Sequence, residues 1–438
     1  MKMKTVINAV KYETWCRVLT LLMRLVVGGL FIFSGFTKAV DPWGGYYKVG
    51  DYLTAMGMEH LSGTALLLAV ALAALEFMLG VAIAVGAYRR SAPVLGLVLM
   101  AVLTPVTVWI AVTGAVGDCG CFGDALHLSG RATVGKNVLL ILGLVWLLLF
   151  NQTLRGVYGP AVQWMVMAAS FALVMAVAYY GYFTQPLIDY RPYPVGTRLV
   201  ATDGADASQE ASEDDFILVY SKDGQEREFT IDSLPDEEDG WEFVTRYHAR
   251  RPSGKVIMQG AGGGNAIAIM DEEGNDITLD VLADSRRTVL LLLPDLPQVG
   301  VVNSFAINEL NDAALVAEAD VIGLTPATPQ QVEQWQDLSM ASYPIHYMDD
   351  SELKMIARGN PAVVYVEDGV IKWKRTLGSL ENVQQPAELS AMGDDWDAGA
   401  IITRLMTAYL VAMLALLAIN RTHLLVRYFY YKRHKNKK

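Results

Sequence analysis

Six segments of about twenty apolar residues decide what this chain can fold into. They cover residues 18–37, 63–87, 92–114, 134–151, 161–183 and 400–420. Each is long enough to cross the hydrocarbon core of a bilayer as a helix, which takes about 20 residues. A buried helix of a soluble protein is the alternative for any single segment, but it does not account for six together. The sequence therefore predicts an integral membrane protein, with the lipid bilayer as a partner.

Charge is divided between two regions of opposite sign. Residues 184–398 contain 39 acidic and 15 basic residues, a net charge of −24. The rest of the chain contains 7 acidic and 20 basic residues, a net charge of +13. The basic residues flank the apolar segments, where they determine membrane topology. Nothing in this division favours a nucleic acid as a partner.

The basic residues near the ends of the six segments predict the orientation. They are Lys2, Lys4, Lys11, Arg17, Arg89, Arg90, Arg155, Arg421, Arg427, Lys432, Arg433, Lys435, Lys437 and Lys438. With six spans, all of them fall on one side of the membrane, and positively charged loops favour the cytoplasmic side. We therefore expect a bacterial inner-membrane protein with both termini in the cytoplasm and residues 184–398 in the periplasm.

The polar region changes its pattern along its length. An alternating stretch at Phe216–Ile231, with a turn at Asp223–Gly224, predicts a β-hairpin. From about residue 286 the pattern predicts the element order β-α-β-α-β-α-β-β. The last two strands meet at Asp368–Gly369, a dipeptide that strongly favours a hairpin turn.

This last block resembles the thioredoxin fold over about 90 residues. The sequence Gly359–Asn360–Pro361–Ala362 precedes the penultimate strand, where members of that family keep a cis-proline beside their redox site. Active members also carry cysteines after the first strand, whereas here that position reads Pro294–Asp295–Leu296–Pro297–Gln298. The resemblance implies a binding or docking module without dithiol chemistry of its own. A different small α/β domain is the alternative.

Two of the three cysteines form the motif that can carry chemistry. Cys119 and Cys121 follow the third span, while Cys16 lies at the other end of the first span. The ~30 Å bilayer core separates Cys16 from the other two, which is too far for a disulfide. Gly120 permits the sharp bend that a Cys119–Cys121 disulfide needs. Such a strained ring is easily reduced and suits thiol exchange, so the pair is the candidate catalytic site.

Other roles for the two cysteines stay open. A disulfide across one residue closes almost no loop and would stabilise little. The thiols could bind zinc with Asp118, Asp124 or His127, although the spacing matches no common zinc site. They could also be idle. Nearby carboxylates raise the pKa of a thiol, which favours a disulfide acceptor over a nucleophile. The possible positive partners on the same side are His60, His127, Arg131 and Lys38.

Residues 17–150 resemble the DoxX/MauE group of four-helix membrane proteins. The residues that carry this resemblance are Arg24, Gly28, Phe31, Ser34, Gly35, Lys38, Glu76, Gly80, the run Cys119–Asp124, Thr133, Lys136 and Asn137. The MauE-like branch is associated with disulfide formation in partner proteins, and DoxX relatives are associated with quinone-linked sulfur oxidation. The resemblance therefore implies a quinone as a possible cofactor and periplasmic or envelope proteins as partners.

The extra spans and the appended domain resemble a longer DoxX-type form of the Bacteroidota, including the run Leu187–Tyr193. The predicted fold class is a membrane α-helical protein: a four-helix DoxX-like bundle plus two further transmembrane helices, with an α+β domain that ends in a thioredoxin-like fold. The predicted domains are residues 1–155 (four-helix domain), 156–185 (fifth helix), 186–285 (linker and β-rich region), 286–390 (thioredoxin-like domain) and 399–438 (sixth helix and basic tail).

Two charged residues lie inside predicted spans. A lone charge there is costly, so Arg24 and Glu76 are expected to pair with each other or to face a polar pocket. As candidate cofactor-binding residues they would form a quinone-headgroup or proton site. The alternative is an ion pair that only fixes helix packing.

Two functions from different classes remain. The first is a thiol-disulfide/quinone oxidoreductase, and the second is a non-catalytic scaffold whose periplasmic domain binds envelope proteins. A transporter is less favoured, because no inverted repeat is visible. No haem is expected, since none of the six histidines lies in a predicted span. No nucleotide is expected either, because Gly260–Gly264 lacks the Lys-Ser/Thr of a phosphate loop.

Overall fold

The computed structural model describes most of the chain. The described residues are 2–113, 121–126, 129–199, 216–222, 225–230, 242–248, 267–282, 286–380, 389, 391–393 and 396–435. The predicted site residue Cys119 lies outside them, as do Asp118 and His127.

The first part of the chain is helical. Its elements are α1 (Lys2–Val40), α2 (Pro42–Ala55), α3 (Ala65–Val85), α4 (Ser91–Thr113), β1 (Cys121–Asp124), α5 (Gly130–Phe150) and α6 (Pro160–Phe183). The last helix is α11 (Ala398–Lys435), and the intervening α7–α10 belong to the soluble region given below. Helix α2 was not predicted; it begins at Asp41, whose side chain accepts a hydrogen bond from the Gly44 backbone N–H and so caps the helix.

Six helical segments in the described part of the chain are long and apolar enough to cross a membrane. They are Glu13–Val40, Glu59–Val85, Ser91–Thr113, Gly130–Thr153, Pro160–Phe183 and Ala398–Tyr428. Each matches one of the six segments predicted from the sequence, so the predicted spans are confirmed.

Glycines allow α1 and α3 to pack backbone against backbone. A Cβ atom at Gly35 would collide with the backbone of Phe77, and one at Gly80 would collide with the backbone of Ile32. A larger residue at either position would therefore force the two helices apart. This close packing fixes the register between α1 and α3, and that register brings their polar residues together.

Residues 200–266 form a compact unit of their own. Its strands are β2 (Phe216–Lys222), β3 (Gln225–Thr230) and β4 (Glu242–His248), in the sheet order β3-β2-β4. Strands β2 and β3 pair antiparallel from Ile217–Thr230 to Lys222–Gln225. The predicted hairpin strands are confirmed, while the turn residues 223–224 lie outside the described residues.

The thioredoxin-like region follows. Its elements are α7 (Thr278–Leu282), β5 (Arg287–Leu292), α8 (Val302–Val316), β6 (Asp320–Thr325), α9 (Pro329–Ser339), β7 (Ile345–Tyr347), α10 (Asp350–Ile356), β8 (Ala362–Glu367) and β9 (Val370–Thr376). The sheet order is β7-β6-β5-β8-β9, with β5, β6 and β7 parallel and β8 and β9 antiparallel. The predicted order is confirmed, and the Asn360–Pro361 peptide bond is cis.

This region belongs to one compact unit with the membrane helices, formed by residues 1–199 and 267–438. The stretch after α6, predicted as a linker, lies along the sheet. The Gly196 N–H donates to the Ile371 carbonyl at 2.8 Å, and the Leu199 N–H donates to the Gly369 carbonyl at 2.8 Å. The sheet is thereby fastened directly to the end of α6. The exact domain boundaries stay predictions.

Candidate functional site

Strand β1 forms the last part of the cysteine motif and packs against the membrane helices. The backbone of β1 begins at Cys121, and the Phe122 side chain is buried between α1 and α5. The Phe122 ring lies 5.4 Å from the Phe33 ring, and the Lys136 Nζ lies 4.5 Å from its centre. Neither Cys119 nor the side chain of Cys121 is among the described parts, so their pairing stays a prediction.

A polar cluster lies where α1 meets α3. The Lys38 ammonium donates to both carboxylate oxygens of Glu76, at 2.7 and 2.6 Å. The Ser34 hydroxyl donates to Glu76 Oε2 at 2.7 Å. Glu76 is only 3% exposed, so its charge is compensated by Lys38 rather than by water. The partner of Glu76 is therefore Lys38, not Arg24.

A cavity adjoins this cluster, and we call it the bundle cavity. It encloses about 1020 Å³ with its open mouth included, and residues from α1 to α5 line it. Its walls are mostly apolar, with Leu30, Leu72 and Met100 among them, whereas Lys38 and Glu76 supply polar groups. The β1 residues Phe122, Gly123 and Asp124 also line it. The last three residues of the cysteine-containing run and the predicted site residue Glu76 thus line the same cavity.

Arg24 lies farther back on α1, near the end of α5. It is fourteen residues before Lys38, which corresponds to about 21 Å along a helix. Its guanidinium donates to Asn151 Oδ1 at 2.5 Å and to the carbonyls of Asn151, Leu154 and Arg155 at 2.9, 3.0 and 3.1 Å. These carbonyls belong to the segment that follows α5. The expected pair of Arg24 and Glu76 is therefore absent, because each residue is satisfied at its own end of the bundle.

Arg358, which no sequence pattern indicated, joins the thioredoxin-like region to the end of the cysteine motif at Asp124. The Arg358 side chain is 7% exposed and donates from Nε to Asp41 Oδ2 at 2.9 Å. Its Nη2 also contacts Asp124, three residues after Cys121. Burial lowers the pKa of Arg358, but Asp41 and Asp124 outweigh burial and raise it overall. Arg358 is therefore a fixed cation between two carboxylates of the membrane domain.

The backbone around Arg358 is held as firmly as its side chain. The Gln185 side chain accepts from the Arg358 N–H at 3.0 Å and donates to the Arg358 carbonyl at 2.6 Å. The Asn360 side chain donates to the Asp295 carbonyl at 2.7 Å. Asp295 follows β5, and both residues line a cavity with Trp43 and Tyr182, so this end of the sheet meets the membrane domain.

A second cavity lies at this meeting point. Its lining combines Trp43, Tyr46 and Tyr182 of the membrane domain with Asp295 and Asn360 of the thioredoxin-like region. The Trp43 and Tyr182 rings are stacked with centroids 5.1 Å apart. Aromatic side chains of this kind are common where a membrane protein leaves the bilayer, and we assign them that role.

A buried charge cluster fastens the segment after α6 to β9. The Lys374 ammonium donates to Asp189 Oδ2 at 2.9 Å, and Arg191 Nε donates to Asp189 Oδ1 at 2.7 Å. The cluster holds two cations and one carboxylate. Burial, followed by the Arg191 charge, lowers the pKa of Lys374 to about 8. Burial raises the pKa of Asp189, but Arg191 and Lys374 outweigh it and lower that pKa overall.

In the described part of the chain, no three His, Cys, Asp or Glu side chains lie close enough together to hold a metal ion. Two of the ligands considered for a zinc site, Asp118 and His127, lie outside that part, and the third, Asp124, is bound to Arg358. The zinc alternative therefore stays a prediction.

Lys38 and Arg358 differ in how well sequence signals could have identified them. Lys38 follows Ser34 by one helical turn inside the family motif. The motif therefore indicated Lys38, but it did not indicate that Lys38 pairs with Glu76. Arg358 has no local signal, because its role depends on contacts with residues more than 200 positions away.

Comparisons with known proteins support the division of the chain. Residues 16–150 match the family described as methylamine utilisation protein MauE. Residues 215–249 match a domain of unknown function (DUF8463). No curated protein matches the chain. The predicted DoxX likeness is not part of these matches and stays a prediction.

One solved structure is similar to part of the chain. It is a solution structure from Bacteroides thetaiotaomicron that was proposed to be a protein disulfide isomerase. The identity is 16%, the match covers 29% of this chain and 85% of that chain, and the TM-score is 0.24. A likeness at that score carries no argument about this chain. The six apolar helices identify the protein as a membrane protein, and its residues 16–150 are similar to the MauE family.

Proposed function

We propose that the chain is a membrane thiol-disulfide oxidoreductase in which Cys119 and Cys121 alternate between a disulfide and a dithiol. One observation carries the proposal: β1, which begins at Cys121, forms part of the wall of the bundle cavity that Lys38 and Glu76 also line. The match to the MauE family over residues 16–150 supports it. A thiol pair beside a partly apolar cavity with a proton-carrying carboxylate suits electron transfer to a small membrane-soluble acceptor.

The residues of the bundle cavity fit a quinone. A quinone needs apolar walls for its ring and tail, and donors for its two carbonyl oxygens. Leu72 and Met100 supply the apolar walls, and the ammonium groups of Lys38 and Lys136, which also line the cavity, supply the donors. When bound there, a quinone would accept two electrons and two protons. Glu76, held between Lys38 and Ser34, would pass protons towards the acceptor. Arg24 does not line this cavity and takes no part in the proposed chemistry.

The overall reaction balances. The Cys119–Cys121 disulfide takes two electrons and two protons from a partner protein's dithiol, which becomes a disulfide, and the chain's pair becomes a dithiol. That dithiol then loses two electrons and two protons to the quinone, which becomes a quinol, and the chain's disulfide is restored. In the proposed orientation the positively charged loops face the cytoplasm of a bacterial inner membrane, so the cysteines and their envelope partners meet in the periplasm.

The test is the return of the disulfide in the detergent-solubilised full-length protein after reduction by dithiothreitol and removal of the reductant. We expect thiol trapping to show rapid reoxidation with a short-chain quinone and slow reoxidation without it. Cys119→Ser and Cys121→Ser should abolish the effect. Cys16→Ser is the matched control and should leave it unchanged, because Cys16 is buried in α1.

The scaffold is the second candidate function. It is favoured by the absence of cysteine in Pro294–Gln298, which deprives the thioredoxin-like region of dithiol chemistry. Reoxidation at the same slow rate with and without quinone would contradict the oxidoreductase and favour the scaffold. In a scaffold, envelope proteins would have to bind away from Asp295 and Asn360, because that edge meets the membrane domain.

A further inference from the structure

We infer that Arg358 is a positioning residue for the cysteine motif: by binding Asp124 and Asp41 together, it lets the cysteine-free thioredoxin-like region act as a clamp on β1, the strand that begins at Cys121. This inference rests on the proposed function for its consequence, but the contact itself does not.

Arg358 binds two carboxylates of the membrane domain. Asp41 is the N-cap of α2, which follows α1, and Asp124 ends β1. Arg358 Nε and Nη2 bind Asp41 at 2.9 and 2.8 Å, and Nη2 also binds Asp124. Lys48 of α2 lies 3.6 Å from Asp124 as a second, weaker partner. One guanidinium thus neutralises two carboxylates that would otherwise repel each other across the loop.

The support behind Arg358 is rigid. Its Nη1 donates to the Lys354 carbonyl at 2.6 Å, while Gln185 binds both its backbone N–H and its carbonyl. The Lys374 ammonium donates to the neighbouring Ile356 carbonyl at 2.7 Å. Because side chains that are held in this way cannot move without breaking several bonds, Arg358 restrains Asp124 instead of following it.

The restraint reaches the cysteine motif through a short strand. Asp124 is three residues from Cys121, with the buried Phe122 and the left-handed Gly123 between them. A strand that is held at Asp124 and Phe122 leaves few backbone conformations for Cys121. The equilibrium between the Cys119–Cys121 disulfide and its dithiol therefore depends on the contact between Arg358 and Asp124.

The variants Arg358→Gln, Asp124→Asn and the combination of both test the contact. The first measurement is amide exchange at residues 121–126 in the full-length protein. We expect exchange to rise about tenfold or more in each single variant and no further in the double variant, because both substitutions break the same contact. Arg358→Lys should recover part of the protection. Arg287→Gln is the matched control, since Arg287 pairs with Glu367 on the surface of the same region.

The second measurement is the equilibrium of the Cys119–Cys121 disulfide with glutathione, which needs no quinone. Both single variants should shift the equilibrium constant in the same direction, by about fivefold or more, and Arg358→Lys should restore part of the shift. Shifts in opposite directions would show an effect of charge through space and would overturn the positioning role. Unchanged exchange at residues 121–126 would overturn the clamp. If reoxidation did not depend on quinone but the variants still changed amide exchange and the disulfide equilibrium as expected, only the proposed function would be contradicted.

Discussion

Two positions on helix α1 bury charge in opposite ways. Near the middle of α1, the Arg24 guanidinium donates to backbone carbonyls and to the Asn151 side chain after α5. Near the last turn of α1, Lys38 pairs with Glu76 at the wall of the bundle cavity. Both sites look alike in the sequence, as a charged residue inside an apolar segment.

The difference teaches how to separate a structural charge from a functional one. Arg24 satisfies backbone carbonyls of the segment after α5, and its charge is favourable at the negative end of the helix dipole. These contacts explain Arg24 by structure alone. Glu76 also pairs with Lys38 across α1 and α3, but its carboxylate lies at a cavity wall, where the proposed function gives it a second role as a proton carrier. The predictions below test this contrast, beginning with the largest expected effect.

Arg24→Gln should destabilise the membrane domain by about 3 kcal/mol or more, because buried carbonyls without a donor cost about 1–3 kcal/mol each. The rate of quinone-dependent disulfide formation per folded molecule should not change. In detergent, thermal unfolding measures the stability and thiol trapping measures the rate. Arg17→Gln on the same helix is the control and should have almost no effect, since Arg17 pairs with Glu13 on the surface. If the Arg24→Gln protein folded but no longer formed the disulfide in the presence of quinone, Arg24 would not be a purely structural charge.

Glu76→Gln should lower the rate per folded molecule. The amide keeps a hydrogen-bond acceptor for Lys38 and Ser34 but cannot transfer a proton, so the rate should fall about a hundredfold. The unfolding temperature should also fall, because Lys38 loses its buried counter-charge, so the rate is the measurement that separates this variant from Arg24→Gln. Glu59→Gln, at an exposed position before α3, is the control with the same change in net charge. An undiminished rate in Glu76→Gln would exclude Glu76 as a proton carrier.

The buried cluster at Lys374 extends the contrast outside the membrane and should give the smallest effect. The pKa of Lys374 is about 8 in the folded protein, below its ordinary value of 10.5. Between these values the unfolded chain binds more protons, so the stability contributed by Lys374 rises with pH. From pH 7 to pH 9 the gain should be about 1.5 kcal/mol.

Chemical unfolding at several pH values would measure this gain. Lys374→Met should flatten the pH dependence, whereas Lys372→Met should leave it as it is, because Lys372 lies two residues away on the same strand and is 42% exposed. If the free energy of unfolding changed equally with pH in the Lys374→Met and unsubstituted proteins, Lys374 would not be the group responsible for the pH dependence.

Local patterns were sufficient for much of the fold. The six spans follow from apolar length, and the β2–β3 hairpin and the strand order of the thioredoxin-like region follow from alternation and turn residues. Helix α2 was missed because Pro42–Ala55 mixes glycine, aromatic and polar residues without a clear period. The cysteine pair was recognisable from its spacing, while its redox state stays a prediction.

The sequence by itself determined which segments enter the membrane and which residues carry charge there, because hydropathy and turn chemistry act over short stretches of chain. Only the tertiary structure decided the partners. Glu76 binds Lys38 instead of Arg24 because the glycine contacts of α1 and α3 fix their register. Arg358 reaches Asp41 and Asp124 because the sheet is fastened to the end of α6. Such contacts join residues that are far apart in the chain, and no local pattern encodes them.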